Sequence, residues 1–205
     1  MNSFRNIAKI TAIGTALTVV SAISSVSAAD LSAVPAGEYQ VDDTHAYINF
    51  QYNHLGLSNP TLSFDDFTID MNLDNEDPTK STITVAIDTN SVVAGSSVWK
   101  DHLTGDKWLD TPTHPAATFV SSAIESTGDD TFAVTGDLTL KGITKAITLD
   151  ITINAAKNHP MKGTPVIGLD ATGNLLRSDF GLGKYAPNIG DEVALNISVE
   201  MTKSE

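Results

Sequence analysis

Chemistry in this 205-residue chain would have to come from its five histidines, a few cations and two tryptophans. His45, His54 and His102, together with Asp43 or Asp101, offer imidazole and carboxylate groups that could ligate a metal ion. Their spacing is not a ligand pattern, however. No His-x-x-x-His pair sits on a helical stretch and no carboxylate is placed to orient a ligating ring, so hydrogen bonding to loops suits them better. His114 and His159 each precede a proline and read as loop residues. Asp101-His102 has the look of a base with its orienting carboxylate, but nucleophilic catalysis also needs an activated serine. There is no Gly-x-Ser-x-Gly elbow, and Ser178 is the nearest substitute. The sequence therefore reads as a protein that is not an enzyme, with no resident metal.

Arg177 is the most informative single charge. It follows Leu175-Leu176 and precedes Phe180 in a chain poor in cations. A guanidinium carries five N–H donors and keeps its charge, so Arg177 suits either a polar head group or a structural pair with Asp179 or another carboxylate. Trp99 and Trp108, with Leu103 between them, either line an apolar entrance or pack a helix onto a sheet. Gly181-Leu182-Gly183 lacks the strand-to-helix turn of a phosphate loop. Asn196-Ile197-Ser198 matches a glycosylation sequon but lies inside a strong strand pattern.

These residues are carried by segments of period two. Ile48, Phe50 and Tyr52 alternate with polar neighbours, as do Phe67, Ile69, Met71 and Leu73, then Ile83, Val85 and Ile87, and then Phe132 and Val134. The cleanest runs are Ile147 to Ile153 and Val193 to Met201. Weaker candidates span 37–41, 117–124 and 165–176. Strand follows strand with short turns, which predicts antiparallel pairing. About eight strands suit closure into an all-β antiparallel barrel, with a β-sandwich as the rival architecture. The segment from Ser96 to Leu109 breaks the alternation and predicts one or two short helices, ended by Asp110, Pro112 and Pro115.

Residues 1–28 read as a secretory signal peptide. Arg5 and Lys9 precede an uncharged, mostly apolar run from Ile10 to about Val20, and Val26 and Ala28 occupy the small-residue positions before a cut after Ala28 or Ala29. Residues 29–205 then form one domain in an exported, periplasmic protein. Removing the leader takes two cations and no acid from a chain whose formal charge is −13. Such an acidic surface disfavours nucleic acid, and no polybasic run or stable membrane anchor is visible. Absence of cysteine excludes disulfides, thiol catalysis and thiolate metal sites.

Several blocks together resemble the YceI family of exported, lipocalin-like proteins. Tyr39-Gln40-Val41-Asp42, His45, Ile48, Phe50 and His54-Leu55-Gly56 are similar to the opening of the family pattern. Asp101-His102-Leu103, Trp108-Leu109-Asp110, His114-Pro115 and Thr118-Phe119 resemble its middle segment. Gly136-Asp137-Leu138-Thr139-Leu140-Lys141-Gly142-Ile143-Thr144 resembles its most recognisable run, and Arg177-Ser178-Asp179-Phe180-Gly181 the next. The chain departs from the pattern at Leu62-Ser63-Phe64, where the family usually has a glycine before the phenylalanine.

The resemblance implies a lipocalin-like eight-stranded barrel whose apolar interior takes up a polyisoprenoid, an isoprenoid quinone or another long-chain amphiphile. It implies no cofactor beyond such a lipid, and it leaves a homodimer open. The residues expected at the ligand are Phe50, Tyr52, Phe67, Trp99, His102, Leu103, Trp108, Phe119, Arg177 and Phe180. The competing reading is a structural or stress-related interaction protein with a filled barrel. Sequence cannot separate the two, because a filled and a hollow barrel share one alternation pattern.

Overall fold

The computed structural model describes residues 30–205, so the predicted leader lies outside the described residues. Ten strands and one helix follow in order: β1 (Gly37–His54), β2 (Thr61–Phe64), β3 (Phe67–Leu73), β4 (Thr82–Asp88), β5 (Val92–Val93), α1 (Ser97–Thr104), β6 (Ala116–Ser126), β7 (Thr131–Leu140), β8 (Ile143–Asn158), β9 (Pro165–Leu176) and β10 (Ile189–Lys203). All pairings are antiparallel. The sheet runs β10-β9-β8-β7-β6-β4-β3-β1, and β10 pairs back onto β1. That makes an eight-stranded closed barrel, as the alternation predicts.

The short strands β2 and β5 extend the wall at one end. β1 pairs first with β3 through Gly37–Gln40 and later with β2 through Ile48–Gln51, so β2 continues the position that β3 occupies lower down. β5 pairs with β2 and ends the sheet order, and the segment carrying α1 takes over where its pairing stops.

The two segments read as separate strands at 37–41 and 47–52 are one strand, β1. Val41 pairs with Met201 and Ala46 with Val199, so Asp42 to His45 bulge out opposite Glu200. The bulge shifts the alternation, which is why the sequence looks like two strands.

Outward positions carry Thr, Asn and Asp, and some join across strands: the Thr135 and Thr148 hydroxyls lie 2.9 Å apart, and Ser198 donates to Asp170 at 2.6 Å. Inward positions are apolar. This is the reverse of a membrane-spanning barrel, whose lipid-facing side is apolar. Among the described residues no helix is long and apolar enough to cross a membrane.

The two ends of the interior differ. At one end, here the closed end, Tyr39, Met71, Leu73, Phe132, Val134, Ile167 and Met201 form a tightly buried cluster. It is plugged by Val34 and the short turn Leu31–Ala33. Tyr39 donates to the Pro35 carbonyl at 2.7 Å and the Asn75 amide to the Val34 carbonyl at 2.8 Å, which holds the plug in place. The other end receives the turn after β1, α1 with its following loop, the β7–β8 turn and the long β9–β10 connection; it is here the open end.

Packing predicts two outcomes for urea unfolding. Met201 is fully buried in the closed-end cluster, so Met201→Ala is expected to cost about 2–5 kcal/mol. A Cβ at Gly136 would collide with the Phe119 ring and stand 2.5 Å from the Val120 carbonyl oxygen. Because backbone cannot yield as a flexible side chain can, Gly136→Ala is expected to cost about 1–3 kcal/mol.

Candidate functional site: an apolar cavity at the open end

Followed from the closed end to the open end, the same strands pass from packed core to cavity wall. On β10, Met201 and Val199 belong to the buried cluster, whereas Ile197, Leu195 and Val193 face empty space. On β8, Ile153 and Ile151 give way to Leu149 and Ile147. The cavity measures about 230 Å³. Small-molecule sites commonly measure roughly 300–1,000 Å³, so this narrow volume fits a slender chain better than a bulky ring system.

The roof is built by α1 and the loops. The Ser96 hydroxyl caps α1 by accepting from the Trp99 amide at 3.2 Å. Trp99 and Leu103, one turn apart, then face the same way, as a 3.6-residue period requires. Both line the cavity. Trp99 meets Trp108 edge-on with ring centres 5.9 Å apart, and Phe50 stacks on Phe64 at 5.3 Å. A second buried cluster of Leu62, Val92, Leu103, Leu109, Phe180 and Leu182 surrounds this roof.

Among the described residues Arg177 is the one fully charged group on the cavity wall, and it is 6% exposed. Its Nε donates to the Gly190 carbonyl at 2.8 Å, Nη1 to the Leu182 and Lys184 carbonyls (3.0 Å to the latter), and Nη2 to the Ile189 carbonyl at 2.8 Å. One side chain thus gathers the β9–β10 connection. Four of its five N–H groups have these partners, and one on Nη2 has none among the described residues. Neither a head group nor Asp179 is needed to hold it. Asp179 is exposed, and Asp191 accepts instead from the Ser178 amide and hydroxyl.

The Arg177 guanidinium lies 5.9 Å from the Trp108 ring centre. Burial pulls its pKa down, and Asp191 and Tyr52 oppose that shift. Burial also pushes the Tyr52 phenol up, against the Arg177 charge and Trp99. The open end of an otherwise apolar cavity is therefore marked by a small polar group of Arg177, Tyr52 and the His54 ring.

Of the residues expected at a ligand, Phe50, Tyr52, Trp99, Leu103, Trp108, Phe119 and Arg177 line this cavity. Three lie elsewhere. Phe67, at the start of β3 opposite Ile87, packs against the buried barrel cluster without reaching the cavity. Phe180 is buried in the roof without reaching the cavity. His102 is exposed on α1, edge-on to Trp99. The sequence reading also passed over Leu138, Leu140, Leu175 and Leu182, which complete the wall. The inward alternation of β7 was the signal for Leu138 and Leu140.

The histidines do not converge. His54 is on the cavity, His102 is on the outer side of α1, and His45 is on the β1 bulge. There Asp42, His45 and Glu200 bring ligand atoms within 4.8 Å of one another. The Thr44 hydroxyl and amide already hold Asp42 far below the usual carboxylate range, and the Lys162 ammonium sits 3.3 Å away. That corner is a salt-bridged bulge.

An antiparallel eight-stranded barrel, packed at one end and holding an apolar cavity at the other, defines a lipocalin-like binding scaffold. The YceI-like domain matches residues 39–201, and the chain belongs to that family. A UPF0312 protein of Yersinia pestis is 35% identical over 167 residues, covering 80% of this chain and 86% of the relative. The crystal structure of Burkholderia cenocepacia BcnA superposes with a TM-score of 0.70 at 27% identity, covering 78% of this chain and 98% of that one. A polyisoprenoid binding domain from Saccharophagus degradans has the same fold, with a TM-score of 0.63 at 16% identity, covering 83% of this chain and all of its own length.

Removal of Arg177 tests its part in the roof. Arg177→Met deprives four carbonyls of their donor, and with partial rescue by water the expected loss is about 2–4 kcal/mol in urea unfolding. Limited proteolysis is expected to move into 182–190. Arg177→Lys is expected to restore less than half, because one ammonium cannot span carbonyls that a planar fork reaches together.

Proposed function

We propose that the protein is a periplasmic carrier or sequestering protein that holds a polyisoprenoid, an isoprenoid quinone or another long-chain amphiphile in the barrel. The observation that carries this reading is the cavity itself, enclosed by aliphatic and aromatic side chains and polar only beside Arg177. Burial of a chain there gains roughly 0.8 kcal/mol per CH₂, so a tail of several carbons binds without any charged contact. Family membership and the ligand named for the Saccharophagus neighbour support the same class.

Arg177 gives the bound molecule a direction. The tail runs toward the closed-end core, and the head group meets the free N–H of Nη2 and the Tyr52 hydroxyl. A quinone carbonyl, an amide or a phosphate can accept from that donor. Catalysis is not part of the proposal. The hydroxyl of Ser178 is paired with Asp191 rather than with an imidazole. Export through cleavage after Ala28 or Ala29 would place the carrier between two membranes, where a water-insoluble molecule needs one.

Two measurements test this. Organic extraction of protein purified from the periplasmic fraction, followed by mass spectrometry, is expected to yield a long-chain lipid. N-terminal sequencing of the same material is expected to begin at Ala29 or Asp30. Leu195→Trp, which fills the cavity from β10, is expected to lower the extracted lipid about tenfold or more while the barrel stays folded. Wild type free of lipid and unable to bind long-chain probes would reject the carrier reading.

A further inference from the structure

The exposed apolar side chains of the barrel are unevenly placed. Leu57 is 81% exposed, Val98 67%, Tyr185 57% and Leu55 51%, and all four ring the open end, Val98 in the first turn of α1 and the others in loops. Ile143 and Leu176, also exposed, are at the same end. The contrasting cases are Met161, in the β8–β9 turn at the closed end, and Tyr47 and Val120 on the outer wall of β1 and β6.

Backbone conformation reinforces the pattern. Every non-glycine residue with positive φ among the described residues is in an open-end loop: Leu55 (60°), Asp110 (50°), Lys141 (51°) and Tyr185 (66°). A left-handed backbone is unfavourable for a bulky side chain. Leu55 and Tyr185 combine that conformation with an apolar group turned to solvent, two unfavourable features at one position.

Charge is polarised along the same axis. The fold brings Lys100, Lys107, Lys141, Lys145 and Lys184 to the open end, although they are scattered in sequence. Lys141 donates to the Asp106 carbonyl, and Lys184 sits 4.8 Å from the Tyr185 ring centre. Asp101, Asp106, Asp110, Asp179, Asp191 and Glu192 are interleaved with them, so the rim is mixed in sign. The closed end is more acidic: its turns hold Asp74, Glu76, Asp77, Glu125, Asp129 and Asp130, and the lysines of its turns, Lys80 and Lys162, are paired to Asp77 and Asp42. An anionic surface would be repelled by the closed end, whereas at the rim it would meet five lysines that no carboxylate pairs with among the described residues.

We propose that the open end docks reversibly on an anionic lipid bilayer, with Leu55, Leu57, Val98 and Tyr185 entering the interface and the rim lysines meeting phosphate. Apolar tips flanked by lysines, with a tyrosine at headgroup depth, match what an interface accepts. Each lysine near an anionic surface contributes modestly, so the contact is weak, salt-sensitive and reversible, as exchange requires. In that pose the cavity opens onto the bilayer, and a long-chain molecule would pass between them without crossing water. This role rests on the carrier reading, but the contact itself is a property of the rim.

Vesicle flotation tests it, using vesicles of zwitterionic phospholipid with about one-third anionic phospholipid at low salt. Wild type is expected to float with the vesicles. Leu57→Asp combined with Val98→Asp is expected to reduce the floating fraction about fivefold or more, and Met161→Asp to leave it unchanged. Neither changed rim residue lines the cavity, so solution binding of a long-chain fluorescent probe is expected to persist in the double variant. That separates failure of docking from failure of the carrier reading. Wild type that stays unbound, or Met161→Asp acting as strongly as the double variant, would overturn the proposal. So would sedimentation showing that the rim instead joins two copies of the chain.

Discussion

Pairing of β10 with β1 is the constraint from which the rest follows. Once the sheet closes, each strand has one face on a shared interior and one on water, and every second residue must be apolar. Closure also leaves the eight-stranded wall without long free edges, consistent with a chain that has no disulfide to staple it. What closure does not decide is whether the interior is filled. The N-terminal plug and the large side chains of Tyr39, Met71, Phe132 and Met201 fill one end. At the other, the wall is completed by short strands and by the segment carrying α1, which roofs a space it does not occupy.

The roof depends on one buried cation. Arg177 holds four carbonyls, two in the β9–β10 connection and two at the start of β10, lines the cavity and stands beside Trp108 and Tyr52. In the proposed carrier, structure and head-group recognition would share a single guanidinium. A carboxylate in place of the carbonyls would have neutralised it. Partial dipoles leave it charged and leave one N–H unassigned, and such a donor can act on a head group without reorganisation.

Much of the fold was legible because period two survives wherever one face is buried. The runs Ile147 to Ile153 and Val193 to Met201 identified inward faces that prove to be part core and part cavity. Legibility failed where length or geometry broke the period. The bulge at Asp42 to His45 divided β1 into two apparent strands, and β2 and β5 are too short to alternate. Phe67 and Phe180 are packed against buried clusters, yet neither reaches the cavity although Ile87, paired with Phe67, does; which side chains meet the empty space depends on how neighbours pack, and that is not written in a local pattern. His102 was placed by its neighbours Trp99 and Leu103, but its own position on α1 turns it outward. The rim lysines are the clearest product of folding: no sequence window contains a basic patch, and three separate connections are needed to bring them to one end.

The tryptophans allow a direct measurement of the central claim, since Trp99 and Trp108 are the only two in the chain and both line the cavity. Titration with a long-chain fatty acid brominated along its tail should quench their fluorescence saturably, with one chain bound per protein. Leu195→Trp is expected to weaken that binding. Quenching no greater than a short brominated alcohol gives, or quenching that never saturates, would contradict a cavity that takes up an apolar chain.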